Sequence, residues 1–184
     1  MSDLLSILNP KPKRLAGPQL LHELVPQSQA EDAVAIEYSD QDGNLTRLSY
    51  DDLHARSNAL ARKLLPTYQT SAPSENGRFI VPLYIPQSPE LYISQLAILK
   101  AGGAFCPIAL DAPEERLRFI LQDVKAKVLL TVSNMRPKLP QLDDIVVIDS
   151  DEATLEDDRE AVSAPIAPHQ AAYIMWVTKD CHPK

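Results

Sequence analysis

The chain has 184 residues, of which 45% are apolar and 23% charged, and a formal net charge of -7. That length supports one sizeable core, with one domain as the default, and the composition is that of a soluble globular protein rather than a disordered one. The acidic balance argues against a nucleic-acid partner, which needs a basic stripe to displace counterions, and against an anionic membrane surface.

Residues 1–17 read as an extension with prolines at 10 and 12 and a glycine at 17. Leu4, Leu5, Ile7 and Leu8 run at once into Asn-Pro-Lys-Pro-Lys-Arg14, which is not a signal peptide. No apolar run approaches the roughly 20 residues that span a bilayer, so the expected location is cytoplasmic. Leu20, Leu21, Leu24 and Val25 form one face of a short helix stopped by Pro26. Val34–Tyr38 and Leu45–Leu48 flank Asp40-Gln-Asp-Gly-Asn44, whose Gly43 accepts positive φ, and predict a hairpin.

Ser49 with Asp52 three residues on predicts a capping box for a helix carrying Leu53, Ser57, Leu60, Ala61 and Leu64, closed by Pro66. Phe79–Ile85 reads as a buried strand, and Pro82 within it predicts an edge position or a bulge. Ser88-Pro-Glu90 predicts a helix start with Ser88 as N-cap. That helix runs to Ala101, where Gly102 supplies a left-handed turn and Gly103 a close backbone approach. Ala104–Ile108 is the next strand. Asp111 is expected to cap, and Pro113 to start, a helix whose buried face is Leu117, Ile120, Leu121 and Val124. Lys127–Val132, Ile145–Ile148 and Ala171–Val177 complete the strands, with an acidic solvated linker over 149–160. Strands alternating with helices predict an α/β fold with a largely parallel sheet and helices on both faces.

Two stretches carry a resemblance. Leu48-Ser-Tyr-Asp-Asp-Leu53 resembles, at every fixed position, the opening Leu-(Thr/Ser)-Tyr-x-(Glu/Asp)-Leu motif of adenylation domains, which belong to the AMP-forming adenylate ligases. Leu99-Lys-Ala-Gly-Gly-Ala-Phe105, continuing to Pro113-Glu-Glu-Arg116, resembles a core motif of the same superfamily, in the wording of the adenylation domains of non-ribosomal peptide synthetases. The resemblance covers roughly residues 20–177. It divides the chain into an extension (1–17), a partial AMP-dependent ligase domain (18–176) and a tail foreign to the family (177–184). It implies the N-terminal, incomplete part of the adenylate-forming ligase fold. It also implies, for a full-length enzyme, ATP- and magnesium-dependent activation of an amino or other carboxylic acid as acyl-AMP for thioester transfer. The expected partners are the remainder of an adenylation domain or of the synthetase modules, and an uncovered apolar face is expected to favour association. The alternatives are a non-catalytic binding or complementation module, or a piece of an acyl-CoA synthetase.

After a strand such as Ala171–Trp176 the family presents a glycine-rich loop that curls backbone N–H groups around ATP phosphates. This chain reads Val177-Thr-Lys-Asp-Cys-His-Pro-Lys184, with no glycine after Gly103 and with Asp180 placing negative charge where an anion would sit. Two readings stand: a degenerate phosphate loop, or eight alien residues from a truncated gene model, a retained intron or a frameshift. The abrupt loss of match after Trp176 favours the second. The catalytic, cofactor-binding and metal site residues expected in this chain are therefore none, with no ATP or magnesium bound by it alone. His22, His54, His169 and His182 are scattered and read as surface or capping residues. His22-Glu23 and Asp51-Asp52 read as helix-surface pairs. Arg116 and Arg118 are candidates for binding an anion, but in the family motif Arg116 reads as structural. Met175 and Trp176 read as strand core, and Cys106 as a small core residue. Cys181 beside His182 falls short of the four ligands of a zinc site.

Overall fold

The computed structural model describes residues 20–26, 33–70, 79–152, 160–162, 164–168 and 170–176. The hairpin forms as expected. β1 (Val34–Ser39) and β2 (Leu45–Ser49) pair antiparallel, and Gly43 takes φ 83°. The Asp40 carboxylate holds the turn, accepting the N–H groups of Asp42 at 3.0 Å and Asn44 at 2.7 Å. Ser49 and Asp52 make a variant of the capping box. Asp52 N–H donates to Ser49 Oγ at 3.1 Å, while the Ser49 hydroxyl, not a backbone N–H, reaches Asp52 Oδ2 at 2.8 Å.

α1 spans Tyr50–Thr70 and runs through Pro66, which was expected to end it. An interior proline costs a helix about 3 kcal/mol, and here packing outweighs that cost. Leu60 and Leu64 are fully buried, and continuing past Pro66 carries Tyr68 onto Phe79, edge to face at 5.4 Å between ring centroids. The first predicted helix is instead a short 3₁₀ turn, Leu21–Leu24, with no buried residue. Leu21 and Leu24 stay half exposed while Val25 packs against the core, so the apolar face read from sequence is only partly covered.

The main sheet is parallel throughout, in the order β4-β3-β5-β6, formed by β3 (Ile80–Tyr84), β4 (Ala104–Pro107), β5 (Val128–Thr131) and β6 (Val146–Asp149). Its central strands are buried on both faces, which explains their continuous apolar sequence. Val81, Leu83, Cys106, Val128, Leu129 and Leu130 are all at most 1% exposed. Each buried aliphatic side chain contributes about 1.5–3 kcal/mol over leaving it in water.

Pro82 lies in an interior strand, not at an edge or a bulge. In a parallel ladder, alternate residues face alternate neighbours. The carbonyls of Phe79 and Leu83 accept from Ala104 and Ile108 on the β4 side, so position 82 faces β5. There the register begins only at Leu83↔Leu130, one residue later. β5 itself already runs from Val128, so the missing donor leaves the β3–β5 ladder shorter than the strand.

α2 (Pro89–Lys100) connects β3 to β4, and α3 (Glu114–Asp123) connects β4 to β5. The chain steps from β3 to β4 on one side, then back past β3 to β5. With right-handed crossovers that reversal puts α2 and α3 on opposite faces. Both caps differ from expectation. Ser88 holds the N-cap position in extended backbone, but its hydroxyl is buried without a partner and it is the backbone carbonyl that accepts Leu91 N–H. Asp111 lies in the preceding turn, and Pro113 itself occupies the N-cap position of α3.

The double glycine behaves as read. Gly102 takes φ 82°. Its N–H donates to the Leu99 carbonyl at 3.1 Å and that of Gly103 to Ile98 at 2.9 Å, closing α2 with the two bonds of a Schellman motif. A Cβ on Gly103 would stand 3.0 Å from both Ile98 Cγ2 and the Phe79 carbonyl oxygen. Gly103→Ala is accordingly expected to cost about 1–3 kcal/mol, read as a lowered urea midpoint. An unchanged midpoint would show that Phe79 and Ile98 move aside freely.

Candidate functional site

α1 and α2 pack side by side, and one charged side chain lies between them. Lys100 shares the buried stripe of α2 with Ile93, Leu96 and Ala97, and is only 7% exposed. α1 presents His54, Ser57 and Asn58 on one face, at the i, i+3 and i+4 spacing of a helix. The ammonium donates to Asn58 Oδ1 at 2.6 Å, Ser57 Oγ at 2.8 Å and His54 Nδ1 at 3.1 Å. The His54 carbonyl oxygen lies 3.4 Å away as a further acceptor, and none of these partners is a carboxylate. Burial, and secondarily the Arg62 charge, push Lys100 down from its ordinary range to about 8.

His54 extends the chain of contacts, with Nε2 lying 3.2 Å from the Pro26 carbonyl oxygen. Burial and then Lys100 lower its pKa, while the Pro26 bond and Asp51 oppose them. The pKa of His22 is lowered as well, by burial first, against the opposing charge of Glu23. These groups open onto a cavity of about 520 Å³ lined by His22, Glu23, Asp51, His54, Asn58 and Lys100 among others. Because its protons are all engaged, Lys100 acts here as a staple between helices rather than as a free nucleophile.

A second polar cluster sits at the carboxyl ends of β5 and β6, beside β3, where open α/β sheets place ligands. Here the side chains bind the protein to itself. Thr131 Oγ1 donates to the Tyr84 carbonyl at 2.9 Å, and Ser150 Oγ to that of Thr131 at 3.0 Å. Arg136 Nη1 meets the buried Asp149 carboxylate at 2.6 Å, and Asp151 accepts both the N–H and the hydroxyl of Ser133 at 3.0 Å.

The remaining residues weighed from sequence are dispersed. Asp52 gives its N–H to the capping Ser49 and its carboxylate accepts the Ser49 hydroxyl, and Arg118 pairs with Glu114 one turn back at 2.8 Å. Arg116 is half buried on α3. Cys106 is a core residue whose thiol burial raises to about 11, far from a reactive thiolate. Met175 is 64% exposed and so is not strand core, and Trp176 is half buried, edge-on to Phe119 at 5.4 Å. The last predicted strand reduces to a single parallel bridge, Phe105↔Tyr173, outside β4. His169, Cys181, His182 and the whole stretch 177–184, with the expected phosphate loop, lie outside the described residues. The described residues contain no group of three His, Cys, Asp or Glu that could hold a metal ion. None of their helices is long and apolar enough to cross a membrane.

The family profile described as AMP-binding enzyme matches residues 25–176. The chain belongs to the AMP-binding enzyme family. It is 45% identical over 177 residues to the nonribosomal peptide synthetase SIDC of Beauveria bassiana, and 42% identical over 183 residues to nonribosomal peptide synthetase 2 of Gibberella zeae. Each alignment covers 95% of this chain but about 4% of the relative's length. The crystal structure of the nonribosomal peptide synthetase FmoA3 in its AMPPNP-bound form shares the fold, at a TM-score of 0.78 and 22% identity, covering 97% of this chain and 18% of that one.

In this chain the two stretches that carry the family resemblance meet physically. Lys100, of Leu-Lys-Ala-Gly-Gly, is held by the helix that begins within Leu48-Ser-Tyr-Asp-Asp-Leu53. Sequence reading missed this pairing. Its only local signal was a lysine on an otherwise apolar helical stripe. Lys100→Met is expected to destabilise the chain by about 1–3 kcal/mol at pH 7 by leaving buried acceptors without donors, read by chemical denaturation. The folded pKa of Lys100 lies below its ordinary value, so above pH 8 the unfolded state binds more protons and stability rises with pH. The wild-type advantage over Lys100→Met should therefore widen from pH 8 towards 10.

Proposed function

We propose that this chain forms the N-terminal part, residues 18–176, of an adenylation domain. In its full-length setting that domain activates an amino or other carboxylic acid. The observation that carries the reading is the profile match over residues 25–176, joined to alignment with peptide synthetases along 95% of the chain. In the proposed reaction a carboxylate oxygen bonds to the α-phosphorus of ATP. The bond to the bridging oxygen breaks and pyrophosphate leaves, giving acyl-AMP ready for thioester transfer. ATP and magnesium belong to that longer assembly. The described residues supply scaffold, with no catalytic, cofactor-binding or metal-binding residue assigned among them.

A complementation role is the second reading, in which the chain docks onto the remainder of such a domain. Its support is the apolar surface outside β4, where Tyr173, Met175 and Phe119 are each more than half exposed, on a chain spanning about 4% of its relatives' length. Both readings expect the 184-residue protein alone to show no acid-dependent ATP–pyrophosphate exchange. Exchange above the no-acid background would overturn the assignment of these residues as scaffold.

A further inference from the structure

A groove of about 460 Å³ runs between residues 20–26, which form a strap around the 3₁₀ turn, the hairpin and α2. Leu21, Leu24, Ile36, Tyr92, Leu99 and Phe105 are among its walls, and no Asp, Glu, Lys or Arg lines it. Leu24 is 59% and Tyr92 42% exposed, so apolar surface of this groove faces water among the described residues. Covering such surface is favourable, and an apolar groove of this kind suits a short segment with one apolar face.

Beyond His22, Val25 and Pro26, which the two share, the groove passes into the cavity of about 520 Å³, where Glu23 and Asp51 bring negative charge. Lys100 directs its ammonium at α1, and His22 and His54 are held below the ordinary imidazole range, first by burial, so they are mainly neutral at pH 7. The surface therefore offers an apolar trough with acid beside it.

The first residues of the chain carry the complementary pattern. Leu4, Leu5, Ile7 and Leu8 fall at i, i+1, i+3 and i+4, the spacing of one helical face, and Lys11, Lys13 and Arg14 follow. Residues 1–19 lie outside the described residues, which begin at Leu20, next to Leu21 of the groove wall. The eleven residues 9–19 reach up to roughly 35 Å when extended. Pro10, Pro12 and Pro18 among them disfavour one continuous helix, which leaves the connection able to double back. A tether this short holds its segment at an effective concentration on the order of millimolar, an advantage over any free partner.

We propose that this groove is the docking site of residues 4–8 of the same chain, with Lys11, Lys13 and Arg14 lying towards Glu23 and Asp51. The docked segment covers the apolar face that the 3₁₀ turn leaves half open and holds the strap against α2. The proposal concerns this chain's own packing and stands apart from the adenylation reading.

The test uses the 184-residue protein with labelled methyl groups, followed by NOE spectroscopy. The expected result is contact between the methyls of Leu4, Leu5, Ile7 and Leu8 and the rings of Tyr92 and Phe105, persisting on dilution. In a mixture of labelled and unlabelled protein, isotope-filtered spectra should not show it. Contact seen only between labelled and unlabelled molecules would mean that a second copy fills the groove, and no contact at all would mean that these residues do not bind there. Either result overturns the proposal. In the double variant Leu5→Asp, Leu8→Asp, amide exchange over residues 20–26 should quicken about tenfold while α2 and the parallel sheet stay protected. Unchanged exchange over the strap would count equally against it.

Discussion

A buried ammonium without a carboxylate partner is the constraint around which the N-terminal half is arranged. Taking a charge out of water is costly unless its hydrogen bonds are replaced. Lys100 recovers all three from α1, through Asn58, Ser57 and His54. That requirement fixes the rotation and the height of α1 against α2. The hairpin and the 20–26 strap lie against the same helices, so their positions follow from the same contact.

The sheet imposes the second constraint. Parallel strands covered on both faces need crossover helices that end abruptly and return the chain in register. Gly102 and Gly103 end α2 within two residues and bring the backbone against Phe79, so that Ala104 enters β4 opposite Ile80. Pro82 is tolerated in the interior because the β5 ladder begins just beyond it. The polar ends of β5 and β6 are closed by Arg136, Asp149, Ser150 and Thr131 on one another, which makes that region a brace.

Family membership and chemistry separate in this chain. The motifs that identify it are those of packing: a helix start, a lysine staple and a glycine reversal. Their side chains face the protein, and the proposed acyl-AMP chemistry draws on a longer assembly.

The sequence by itself determined the order and type of nearly every element. Turn, cap and periodicity signals act within a few residues, and Gly43, Ser49 with Asp52, Gly102 and the Leu117–Val124 stripe carried them. It also carried the family, through two short motifs. What only the tertiary structure decided involves partners far apart in the chain or a balance of opposed terms. The pairing of Lys100 with residues 42 to 46 positions earlier was invisible to local pattern, and His54 therefore read as a scattered histidine. α1 continues past Pro66 because burial of its stripe and the contact of Tyr68 with Phe79 outweigh a local break. Pro82 sits inside the sheet, with the β3–β5 pairing confined to Leu83 and Tyr84 beyond it and strand β3 held by β4 on its other side. A local signal fixes what a segment can form. Which of its faces is buried, and against which distant groups, is settled when the layers meet.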